Sequence, residues 1–169
     1  CTTCPGRGTK MNRKTMLSLA LDWAKLKKPI FPCSPEKKSP LVSGGFTAAT
    51  VEESKIREWW QQFPNAMVGM PTGDATDIFV LDVDEHGKVS GNKSLAALET
   101  KHGKLPETLE VLTPSGGRHL YFKNVSSLKC STSMVGASLD IRANGGYIIT
   151  PGSINSEGKE YTWVNNKLK

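Results

Sequence analysis

The sequence predicts an α+β fold, and three observations point to it. Helical periodicity is concentrated in the first half of the chain, short strand-like runs separated by Gly, Ser, Asn and Pro fill the second half, and three of the strands divide into an apolar and a polar face. Together they describe one largely antiparallel sheet with helices packed on one of its faces. At 169 residues, 37% hydrophobic and 22% charged, the chain has the size and composition of an ordinary globular domain.

The elements follow in order. Met16, Leu19, Ala20, Trp23 and Leu26 recur at i, i+3, i+4 and i+7, so a helix runs from Thr15 to about Lys28, where Pro29 stops it. Ile30 to Cys33 is a short strand, and the Pro-, Lys-, Ser- and Gly-rich segment Ser34 to Phe46 is a surface loop. Thr50 and Glu53 have capping-box spacing for a second helix carrying Ile56, Trp59, Trp60 and Phe63 and ending before Pro64. Adjacent Trp59 and Trp60 cannot point the same way, so at least one belongs to the core rather than to a base-stacking platform. Val68 to Gly73 is a Gly/Pro-punctuated turn region, and Ile78 to Asp84 a strand. A third helix, about Lys93 to His102, closes at Gly103. Thr108 to Leu112, Arg118 to Phe122, Ser138 to Arg142 and Tyr147 to Thr150 are the remaining strands.

The formal charge of +6 raises the local concentration of a polyanion such as nucleic acid or a nucleotide, although solubility alone would also explain it. No apolar stretch approaches the roughly 18 to 20 residues that span a bilayer, and the N-terminus lacks a secretory apolar core, which makes a cytoplasmic protein the expectation. Met11 opens a natural-looking start, so residues 1–10 read as a tag or an upstream remnant and residues 11–169 as the domain. Only Cys1 and Cys4 have zinc-ligand spacing; Cys33 and Cys130 would have to complete such a site from far away, so zinc is not expected.

The most informative feature is Asp82-Val83-Asp84 at the end of Ile78-Phe79-Val80-Leu81. On a strand both carboxylates share one face, while Val83 stays with Phe79 and Leu81 on the other. Paired acids repel, and a divalent cation is the simplest partner that keeps both charged. His119 and Tyr121 likewise face away from Leu120 and Phe122, and Asp140 and Arg142 away from Leu139 and Ile141. If the apolar faces all meet the helices, Asp82, Asp84, His119, Asp140 and Arg142 converge on the uncovered face of the sheet. Ser115-Gly116-Gly117 precedes His119; its amides and the Ser115 hydroxyl could cradle phosphate, and it suits a hairpin turn equally well.

The stretches IFVLDVDEHG, LTPSGGRHLYF and SLDIRANGGYIITPGS resemble, in that order, the three motifs of the primase–polymerase (prim-pol) domain of the archaeo-eukaryotic primase superfamily. The resemblance extends from about Thr15 to Trp163 and is similar to the N-terminal domains of plasmid and phage replication proteins. It implies a catalytic core related to an RNA-recognition-motif (RRM-like) sheet with an αβ N-terminal unit beside it. It also implies that Asp82, Asp84 and Asp140 are the metal-binding carboxylates for two Mg²⁺ or Mn²⁺ ions, and that His119 holds the phosphates of the incoming nucleotide. Ser115, Gly116 and Gly117 match the phosphate-proximal loop, and Arg142 and Lys38 lie where basic residues face nucleotide or nucleic acid. The implied activity is template-dependent DNA synthesis from nucleoside triphosphates on single-stranded DNA or a primer–template, with Lys37-Lys38 as a further template contact. Such domains commonly continue into a helical module and a helicase, so the chain looks like an excised catalytic domain, from the cytoplasm of a bacterial or archaeal host.

Two readings from other classes use the same residues. A non-catalytic single-stranded nucleic-acid-binding module would stack bases on sheet aromatics, yet the expected open face offers acids and only Tyr121 as a ring. A metal-dependent nuclease could use the same carboxylates, and is separated by whether nucleotides are consumed or DNA is shortened.

Overall fold

The computed structural model describes residues 13–164. Cys1 and Cys4, and with them the reading of residues 1–10, lie outside the described residues. The architecture is α+β, but the strands form two antiparallel sheets where one was expected. The smaller has the order β1-β2-β8, built from β1 (Phe31–Cys33), β2 (Met67–Pro71) and β8 (Tyr147–Ile149). The larger has the order β6-β7-β3-β5-β4-β9, from β3 (Ile78–Val83), β4 (Leu109–Leu112), β5 (Arg118–Lys123), β6 (Ser131–Gly136), β7 (Leu139–Arg142) and β9 (Thr162–Trp163).

Helix α1 (Met16–Lys25) starts where the Thr15 hydroxyl accepts the Ser18 N–H at 3.1 Å, and it ends a turn earlier than Pro29 suggested. Pro29 disfavours helical backbone at Lys28, and the chain leaves the helix through Lys27 at φ 60°. Helix α2 (Glu53–Gln62) is not capped by Thr50 as the spacing implied. Thr50 instead pairs its backbone with Ile30 in both directions, each bond 3.0 Å, which leaves Glu52 at the cap position. Both Trp59 and Trp60 are core residues, and the Trp60 indole donates to the Ala66 carbonyl at 3.0 Å. Helix α3 (Gly91–His102) begins at Ser90 and closes at Gly103, φ 95°.

The segment expected as a turn, Val68 to Gly73, contains β2. Gly69 sits inside that strand because a Cβ there would lie 2.6 Å from Cys33 Sγ and 2.8 Å from the Phe31 ring, so its missing side chain is what lets β1 lie so close. Proline is tolerated at Pro71 because it ends the strand, paired with Tyr147.

The expected division of faces holds on the larger sheet. Leu81, Val83, Leu120 and Leu139 pack with Leu95 of α3, joined by Leu98, Phe122 and Ile141. The opposite face is not open. Val80, Val111 and Tyr121 belong to one core cluster with Met70, Ile148 and Ile149 of the smaller sheet and with residues of α1 and α2. The helices therefore do not share one face: α3 covers the larger sheet, while α1 and α2 pack beside the smaller one, which in turn closes over the polar face. What remains of that face is a cleft at its edge.

Candidate active site

The strand ladder sets the site. In register, Asp82 of β3 lies directly opposite His119 of β5 on one side and Asp140 of β7 on the other, and Val80 lies opposite Arg142. Directly paired residues on one face have Cβ atoms about 5 Å apart, so one row of the sheet brings an imidazole and two carboxylates side by side. His119 Nε2 is 3.5 Å from Asp82 Oδ1. Arg142 Nη2 donates to Asp140 Oδ2 at 3.0 Å and stands 3.6 Å from Asp82 Oδ2, bridging the two acids. The other Asp140 oxygen accepts the Ser133 N–H of β6 at 3.0 Å.

Asp84 falls just past the end of β3. Its N–H donates to the Ser138 carbonyl at 2.9 Å and its carbonyl accepts from Gly91 at 2.8 Å, so the start of α3 pins the backbone. Its carboxylate accepts the His86 N–H at 2.9 Å. The neighbouring Glu85 turns instead to the start of α3, where its carboxylate accepts from the Asn92 N–H and the Ser90 hydroxyl, each at 2.8 Å. Those bonds, the Asn92 one foremost, hold its carboxyl below the usual glutamate range.

Asp82, Asp84, His119, Ser115, Arg142 and Lys38 all line one cleft of about 410 Å³. Asp140 does not line the cleft; its carboxylate meets the guanidinium of Arg142, which does, at 3.0 Å. Gly116 and Gly117 do not line the cleft. They shape the β4–β5 hairpin: Gly116 adopts φ 88°, and a Cβ on Gly117 would lie 2.6 Å from the Val83 carbonyl. The hairpin presents the Ser115 and Thr113 hydroxyls, 3.0 Å apart, to the cleft. Lys37 is exposed on the surface, whereas Lys38 turns through φ 60° into the cleft wall.

His119 is buried, and burial pushes its pKa down; Asp82 opposes this, while Lys38 and Arg142 add to it. The imidazole is thus neutral at pH 7, and among the described residues its Nδ1 is buried without a hydrogen-bond partner. Positive charge in the cleft comes from Lys38 and Arg142. Burial also raises the phenols of Tyr121 and Tyr161, which stay protonated.

A family model described as bifunctional DNA primase/polymerase, N-terminal, matches residues 20–169. The chain belongs to the Prim-Pol family. Membership suggests DNA primase and polymerase activity and implies DNA and nucleotide substrates. No curated protein matches the chain. No helix among the described residues of this Prim-Pol domain is long and apolar enough to cross a membrane.

The Prim-Pol cleft also contains residues that strand alternation does not single out. Phe46, Thr113, Cys130, Tyr147 and Tyr161 line it. Phe46 and Tyr147 lie in stretches that carry the family resemblance, yet only their place in the lining of the cleft beside Asp82 marks them out. Among the described residues no group of three or more His, Cys, Asp or Glu side chains is arranged to hold a metal ion. Asp84 is turned onto the His86 N–H, and the Arg142 guanidinium lies 3.6 Å from an Asp82 oxygen and 3.0 Å from an Asp140 oxygen. The donor chemistry nevertheless suits a hard divalent ion. Carboxylate oxygens are the ligands Mg²⁺ and Mn²⁺ prefer, and the guanidinium is already a cation standing where the two acids need one.

Proposed function

We propose that this Prim-Pol chain is a template-dependent DNA primase/polymerase domain that transfers a nucleotidyl group from a nucleoside triphosphate to a 3′-hydroxyl. The single observation that carries the reading is the ladder that sets Asp82 opposite both His119 and Asp140, with Asp82 and His119 lining a cleft that also bears Lys38 and Arg142. In this reading Asp82, Asp84 and Asp140 would hold Mg²⁺ or Mn²⁺, which supplies charge neutralisation at the attacking hydroxyl and the triphosphate. Arg142 then leaves the acids and its guanidinium is free for phosphate oxygens, which it can grip with two parallel donors. Lys38 adds a second cation to the lining of the cleft. The Ser115 and Thr113 hydroxyls offer further donors, and neutral His119 contributes an N–H or a lone pair rather than a charge. Such donors, fixed before the substrate arrives, position the triphosphate where charge develops. No dedicated general base is required.

The biological setting that fits is DNA replication of a plasmid, phage or prophage in the cytoplasm of a bacterial or archaeal host, beside a helicase module. The test is direct: the protein is incubated with single-stranded DNA, deoxy- or ribonucleotides and Mg²⁺ or Mn²⁺, with and without a primer, and the products are sized on a gel. Lengthened or newly made strands support the proposal. Shortened DNA would replace it with a nuclease, and DNA binding without any change in length with a binding module.

A further inference from the structure

The lining of the cleft is chemically mixed, and its charged residues are only part of it. The same cleft is lined by Phe46 and Tyr147, both half-buried, with ring centroids 6.1 Å apart and planes 30° from parallel. The pair is braced from behind. Phe31 meets Tyr147 edge-on at 5.2 Å and 81°, and the Tyr147 hydroxyl donates to the Lys38 carbonyl at 3.0 Å. Phe46 enters from the single 3₁₀ turn Gly45–Ala48, in the stretch of chain that also delivers Lys38. Aromatic surface beside a charged floor has no use for a phosphate. It suits a ligand that carries a planar π-face on the same molecule as its anionic groups.

We propose that Phe46 and Tyr147 are the wall on which the nucleobase of the incoming nucleoside triphosphate stacks. The inference rests on the cleft being the nucleotidyl-transfer site, and adds the part of the substrate that the charged residues do not touch. Stacking tolerates every base, because each has a π-face. The Tyr147 hydroxyl is committed to the Lys38 carbonyl, so the wall reads no base edge and leaves selection to the template.

The test separates the base from the phosphates. Ca²⁺ replaces Mg²⁺ to suppress turnover, and binding of a 2-aminopurine nucleoside triphosphate is read by fluorescence quenching, with inorganic tripolyphosphate as competitor. Phe46→Leu and Tyr147→Leu should weaken binding of triphosphates of all four bases at least about fivefold, the lower end of what one base–aromatic stack contributes, and should reduce quenching. Tripolyphosphate affinity should be unchanged, and Tyr147→Phe should retain both affinity and quenching. Leucine variants that quench and bind like the parent protein would overturn the proposal. So would an equal loss of tripolyphosphate binding, which would make the rings structural supports of the loop. If the parent protein bound neither probe, the transfer-site reading itself would fall, and this one with it.

Discussion

Replacing Arg142 by methionine isolates the electrostatics of the site. The substitution keeps most of the aliphatic stem and removes the one Arg or Lys cation that, among the described residues, lies within 4.0 Å of Asp82 and Asp140. Two carboxylates on directly paired strand positions are then left facing each other. At about 5 Å and an effective dielectric of about 20, their repulsion is roughly 3 kcal/mol. The side chains of Asp140, Asp82 and Arg142 are 19%, 23% and 36% exposed, so solvent screens part of this. A net loss of about 1–2 kcal/mol follows. With a urea dependence of about 2 kcal/mol per molar, the unfolding midpoint in EDTA should fall by about 0.5–1 M. Millimolar Mg²⁺ or Mn²⁺ should restore more of the midpoint in the variant than it adds to the parent protein, since an ion that binds only the folded state stabilises it and no guanidinium competes. Equal midpoints in EDTA would show that the two acids are not coupled through Arg142. A fall that divalent ions leave untouched would show that the acids do not accept a cation.

Two further predictions concern the fold around the site. Gly69→Ala places a Cβ 2.6 Å from Cys33 Sγ and 2.8 Å from the Phe31 ring, so it should cost about 1–3 kcal/mol by overpacking, read as a lower Tm in thermal denaturation; an unchanged Tm would mean that β1 can move away freely. Burial pushes the Cys33 thiol up to about 12, so alkylation at mildly alkaline pH followed by peptide mapping should label half-buried Cys130 and leave Cys33 unmodified until the protein unfolds. Rapid labelling of native Cys33 would contradict its packing.

What the sequence disclosed follows from where period two is clean. In β5 and β7 apolar and polar residues alternate, and at the end of β3 Asp82 falls between Leu81 and Val83, so the face holding Asp82, His119, Asp140 and Arg142 could be read directly. The same pattern carried the α3 side of the sheet. It could not show that the polar face is covered, because Val80 and Tyr121 look the same whether they meet solvent or a second sheet. β2 was hidden by Gly69 and Pro71, both turn residues by habit, and the contact that makes Gly69 necessary comes from Phe31 and Cys33, far away in sequence. β6 was missed because it is an exposed edge strand with a register shift between Thr132 and Gly136, so nothing selects alternation there. β9 is two residues long and pairs only with β4. The capping-box spacing at Thr50 misled because its backbone was already committed to Ile30. The aromatic pair lay beyond sequence reasoning, since Phe46 and Tyr147 are far apart in sequence and meet only where the Gly45–Ala48 turn packs against the smaller sheet.

The central claim is that the carboxylates of the Asp82 ladder carry out nucleotidyl transfer. Primer extension by Asp82→Asn and Asp140→Asn, compared with the parent protein and accompanied by circular dichroism to confirm the fold, tests it most directly. Each variant should fold and lose at least about 10²-fold in extension rate, the scale of removing a cation that contributes several kcal/mol to the transition state. Undiminished extension by either folded variant would contradict it.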